Sequence, residues 1–74
     1  MSLAVLIQSI LDEIAKHGTN LAPIPVASWL QDNHWWIAID VNTPKRTFDI
    51  EVCNANQHTA YANALARVRR EFSS

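Results

Sequence analysis

The side chains best suited to nucleophilic or metal chemistry in this chain are His17, His34, His58 and the single cysteine, Cys53. Their spacing argues against a metal centre. There is no Cys-x-x-Cys pair and no pair of histidines at i and i+4, the arrangements that place two ligands on one side of a turn or helix. A Cys53–His nucleophile pair would need the two groups in contact and an oxyanion hole beside them, and no local motif supplies either. Cys53 is therefore expected to be a small buried or half-buried thiol. Gly18 is the only glycine, so no glycine-rich loop exists to cradle phosphates. On this reading the chain is not an enzyme, and no catalytic residue, metal or cofactor is assigned.

What the sequence offers instead is contact chemistry. His34-Trp35-Trp36-Ile37-Ala38-Ile39-Asp40-Val41 alternates strictly. Trp35, Ile37, Ile39 and Val41 fall on one side of a strand, and His34, Trp36, Ala38 and Asp40 on the other. Val26–Gln31 alternates too, with Trp29 beside Ala27 and Gln31, and Thr47–Val52 sets Thr47, Asp49 and Glu51 against Phe48, Ile50 and Val52. If the three strands form one sheet, Trp29 and Trp36 share a face with Asp40, Asp49 and Glu51. Aromatic surface rimmed by polar groups marks a contact site, and Trp is enriched at binding hot spots. The competing arrangement is a bulge that turns Trp29 inward, or a Trp folded over the sheet edge. The acidic rim repels a phosphate backbone, and base stacking on the two indoles would need a basic track alongside.

The elements that must position this face can be read in order. Ser2 is a candidate N-cap, and Leu3, Ile7, Ile10, Leu11 and Ile14 recur at helical spacing, with Ala4 and Leu6 widening the stripe. Gly18 suits the position just past the helix end, so the first helix is placed at 3–17. Its apolar arc is wide, and Val5 lies outside it. Either it packs on both the sheet and a second helix, or its edge meets a second subunit. Residues 18–25, with Pro23 and Pro25, form a connection. Strands follow at 26–31, 34–41 and 47–52, joined by Asp32-Asn33 and by 42–46. Asn54 with Gln57 resembles a capping box, opening a helix over 55–72 with Tyr61, Ala64, Leu65, Val68 and Phe72 inward. The expected fold is α+β, a two-layer sandwich in the order α-β-β-β-α. A three-stranded antiparallel sheet carries both helices on one face and leaves the other open.

Composition sets the bounds. With 74 residues, 49% of them apolar, the chain is read as one small domain over 1–74. A chain this short buries only about 60% of its unfolded surface. One cysteine allows no internal disulfide, and a small core without a staple favours oligomerisation. A net charge of -1 gives no broad basic footprint for nucleic acid. Lys45-Arg46 at a loop and Arg67, Arg69 and Arg70 on the last helix read first as solvated charge, with a partner-facing patch, nucleic acid included, as the alternative. No run approaches the ~20 apolar residues of a membrane span, and the expected location is cytoplasmic.

The α-β-β-β-α order resembles the double-stranded RNA-binding domain over roughly residues 6–72. Leu11-Asp12-Glu13-Ile14 looks like the first-helix run of that family, Pro25 like the proline leading into strand one, and Asp32-Asn33-His34 loosely like its strand-joining loop. Gln57-His58-Thr59-Ala60-Tyr61 with Ala64-Leu65 sits where the family's lysine motif opens the second helix, but Gln57, His58 and Tyr61 stand at the lysine positions. The resemblance implies nucleic-acid contacts from Gln8, Asp12, Asn33, His34, Gln57 and His58, without the phosphate-binding lysines. The residues themselves point first to a protein–protein interaction module of adaptor, inhibitor or antitoxin-like kind. That module is expected to be a homodimer or to take a protein partner through Trp29, Trp36, Asp40, Asp49 and Glu51.

Overall fold

The computed structural model describes residues 2–17, 26–44 and 46–73. The order is α1 (Leu3–Lys16), β1 (Val26–Gln31), β2 (His34–Asn42), β3 (Thr47–Asn54) and α2 (Gln57–Ser73), an α+β fold with the sheet order β1-β2-β3. Both strand pairs are antiparallel. The expected Gly18 helix stop and the 18–25 connection lie outside the described residues, as does Lys45.

Local chemistry accounts for each element. The Ser2 hydroxyl accepts from the Val5 N–H at 3.2 Å, and the Ser2 carbonyl takes the first helical bond from Leu6 at 3.0 Å. A cap of this kind is worth about 1 kcal/mol. Leu6, Ile10 and Ile14 follow at four-residue spacing and are buried, with Leu3 and Ile7 packed at the margin. Val5 is 48% exposed, in keeping with its place outside the stripe. Asp32 and Asn33 take φ values of 54° and 60°. Both central turn residues are thus left-handed, the two-residue type I′ geometry whose twist matches flanking strands. At the other end Thr43 and Arg46 exchange backbone bonds at 2.8 and 3.3 Å, and the buried Thr43 hydroxyl donates to the Arg46 carbonyl at 2.9 Å.

Two boundaries differ from expectation by more than one residue. β3 continues to Asn54, because Cys53 and Asn54 pair with Trp36 and Trp35. α2 therefore begins at Gln57, and its cap is Asn56: the Asn56 Oδ1 accepts from the Thr59 N–H at 2.9 Å. Asn54 instead folds its side chain onto the Asn56 N–H at 2.9 Å, a turn motif ahead of the helix. The capping box expected from Asn54 and Gln57 is replaced by this pair of asparagines.

One face of the sheet carries Ile37, Ile39, Val41 and Ile50, all buried with Leu6, Ile10 and Ile14 of α1 and Ala60, Tyr61, Ala64, Leu65 and Val68 of α2. Membership of one core puts both helices on that face. The helices run side by side in the same direction: Arg69 Nε reaches Glu13 at 3.7 Å, and the His17 and Phe72 rings stack at 4.0 Å one turn further on. Cover is uneven. α2 lies over β2 and β3. On β1 only Val26 is half-buried, and Leu30, on the helix side of the sheet, is 59% exposed.

Candidate functional site

The face of the sheet away from the helices is built by parity and register. Trp29, Trp36 and Cys53 form one row across the three strands, Ala27, Ala38 and Glu51 the next, and Asp40 opposite Asp49 the one after. Gln31 pairs with His34 beyond the tryptophans. The sequence-derived set Trp29, Trp36, Asp40, Asp49 and Glu51 is thus gathered on one surface. No bulge interrupts the pairing of β1 with β2, and Trp29 is 36% exposed.

The two indoles stack nearly in parallel, with ring centroids 6.3 Å apart and an interplanar angle of 9°. Such pairs add about 0.5–1.5 kcal/mol beyond their buried area. Both ring nitrogens are engaged: Trp29 Nε1 donates to Gln31 Oε1 at 3.2 Å, and Trp36 Nε1 donates to the Gln31 carbonyl at 3.3 Å. The rings are held by one residue and present apolar faces rather than free donors. The sequence places Gln31 on this face beside Trp29, but its hold on both rings, which depends on the hairpin register, is seen only in the structure.

Beyond the small side chains of Ala27 and Ala38 lies the acidic row. Asp40 bonds to Asp49 through their side chains and also feels its negative charge, so the Asp40 carboxyl is held above the ordinary aspartate range. A negative charge set against a carboxyl disfavours its ionised form. The aromatic row and the aspartate pair lie on the same face, with Ala27, Ala38 and Glu51 between them.

Cys53 corrects the expectation of a buried or half-buried thiol: it is exposed. The cause is the added length of β3, which carries position 53 into the sheet at the parity of Asp49 and Glu51, opposite Trp36. Among the described residues, no group of three or more His, Cys, Asp or Glu is placed to hold a metal ion.

The residues of the alternative nucleic-acid reading are placed differently. Because Trp35 pairs with Asn54, the Asn33-His34 turn and the start of α2 with Gln57 and His58 share one end of the sheet. Gln8 donates to Asp12 at 2.9 Å along α1, and the His34 ring bonds to the Asp32 carbonyl at 2.9 Å. Gln57 is half-buried and His58 exposed. The basic side chains lie elsewhere. Arg46 grips Glu71 through its side chain at 2.9 Å and through its carbonyl, and Arg69 faces Glu13. Arg67 is half-buried rather than solvated, while Arg69 and Arg70 are exposed. Partial burial pushes the Glu13 carboxyl up. The bond and charge from Lys16, with Arg69 and His17 beside them, outweigh it and leave the group below the usual glutamate range.

Compared with known protein families, curated proteins and solved structures, the chain matches none. No helix among the described residues is long and apolar enough to cross a membrane.

Proposed function

We propose that this chain is a small protein–protein interaction module, adaptor, inhibitor or antitoxin-like in kind, that self-associates and binds a protein partner through its open sheet face. The observation that carries this reading is the stacked Trp29–Trp36 pair on the open face, Trp29 exposed and Trp36 half-buried, with both ring nitrogens already bonded to Gln31. A solvated surface has no use for two rigid, pre-oriented apolar rings, whereas contact surfaces are anchored by such groups. Asp40, Asp49 and Glu51 supply an acidic flank that selects a basic rim on the partner. A cytoplasmic location fits the exposed Cys53, since reducing compartments keep such thiols free.

The test is affinity capture from cells with quantitative mass spectrometry, comparing wild type with Trp36→Ala and Asp49→Lys. Proteins retained by wild type and reduced at least tenfold by both variants, with the far-ultraviolet circular dichroism unchanged, support the face as the site. Equal recovery on all three baits removes its basis.

A second reading is a divergent nucleic-acid binder of the double-stranded RNA-binding type. It draws on the α-β-β-β-α order and on the common end shared by Asn33, His34, Gln57 and His58, with Gln8 and Asp12 on α1. The pairing of Arg46 and Arg69 with glutamates speaks against a free basic track. A mobility shift with duplex RNA at low salt and a steep salt dependence would favour it. No shift at micromolar protein would end it.

A further inference from the structure

We infer that the free edge of β1 pairs with the β1 of a second copy, joining two three-stranded sheets into one of six strands. This rests on the reading above of a self-associating module, and it names the surface used. β1 has one neighbour, β2, and the described residues place no strand beyond it. The type I′ turn makes Gln31 and His34 its flanking hydrogen-bonded pair. Alternation along the antiparallel ladder then directs the backbone groups of Trp29 and Ala27 toward β2. Those of Val26, Ser28 and Leu30 are left on the free edge.

The chemistry of the two sheet edges differs. Val26-Ala27-Ser28-Trp29-Leu30-Gln31 carries no charge, whereas β3 carries Asp49 and Glu51. Charged side chains are a standard guard against edge pairing. Pairing β3 with itself about Ile50 would set Asp49 against the partner's Glu51. Pairing β1 with itself about Ser28 brings no charges together. It sets Leu30 against the partner's Val26 on the helix side and Trp29 against the partner's Ala27 on the open side. That register covers Leu30, at 59% the most exposed large apolar residue among those described. It also gives the free groups of Val26, Ser28 and Leu30 partners of their own kind. The contact is isologous, so it closes at two copies. The Trp29–Trp36 rows of both copies stay on one continuous face.

Light scattering after size exclusion, run on the full chain over a concentration series, tests this. Wild type is expected to reach twice the 8.3 kDa chain mass. Ser28→Pro removes an edge N–H that bonds nothing among the described residues, and proline is tolerated at such edges. It should give a monomer with unchanged circular dichroism. Leu30→Lys should weaken association at least tenfold and carries the test alone if Ser28→Pro does not fold. Trp36→Ala should remain dimeric. The inference is overturned by a wild type of 8.3 kDa at the highest concentration, by dimers that survive both edge variants, or by an open-ended assembly. A monomer produced by Trp36→Ala alone would make the open face the self-interface instead. Loss of edge pairing with intact Trp36-dependent capture leaves the proposed binding face standing.

Discussion

At the scale of single residues, the open face sets one unfavourable contact beside one favourable one. Asp40 and Asp49 sit directly across the β2–β3 ladder, and like charges so placed destabilise a sheet. Asp40 has its pKa raised in the folded protein. A raised acid pKa means that stability is fully present below the unfolded value of 3.8 and falls as pH rises through the folded one. Asp49→Asn removes the repulsion. Its melting temperature should exceed that of wild type at pH 7, and the difference should shrink as pH falls and the Asp40 carboxyl takes up its proton. Equal melting at pH 7 would show that the pair carries no strain. Glu13 acts in the opposite sense. Its pKa is lowered, so its contribution is present above 4.5 and is lost as pH falls through the folded value. The pair was visible in sequence once the strands were phased, since 40 and 49 are both on the polar side. The raised Asp40 pKa was not, because it depends on a register fixed by the loop between them.

At the scale of elements, strand alternation was legible wherever both faces had a consistent character. His34–Val41 is the best case: its even positions reach solvent or the open face, and Ile37, Ile39 and Val41 are buried. The end of β3 was not legible. Cys53 and Asn54 carry no strand preference of their own and are recruited by pairing with Trp36 and Trp35, a long-range effect that outweighs propensity. The misplaced helix start follows from the same cause, since Asn54 and Asn56 are both good cap types and only tertiary context chooses between them. Asn56→Ala should therefore cost about 1 kcal/mol. Asn54→Ala, which loses only a turn bond, should cost less. Urea midpoints of the two variants provide the comparison, and the reverse order would place the cap at Asn54. The exposure of Leu30 was also hidden, because it depends on how far the helices reach across the sheet rather than on the strand itself.

At the scale of the whole molecule, the core is small and shared. Ile39 is fully buried at the centre of β2, between Val26 of β1 and Ile50 of β3. Truncating such a residue costs about 2–5 kcal/mol, while a chain of 74 residues has roughly 4–11 kcal/mol to lose. Ile39→Ala should remove roughly a fifth or more of the stability, measured by urea denaturation followed through tryptophan fluorescence. A loss below about 1 kcal/mol would mean that the site collapses around the gap. The two-layer arrangement was legible because two apolar helix stripes and one apolar sheet face have few ways to be buried together. The side-by-side helix direction was not, since it is set by contacts such as Glu13–Arg69.

The Trp29–Trp36 stack also makes the protein its own optical reporter. Two indoles held parallel at 6.3 Å couple their electronic transitions, and the exposed Cys53 thiol lies in the same row as a collisional quencher. A ligand that parts the rings, shields the thiol or extends the row changes the circular dichroism couplet and the emission lifetime without any added label. Occupancy of this face is therefore readable in unmodified protein, even before the occupant is identified.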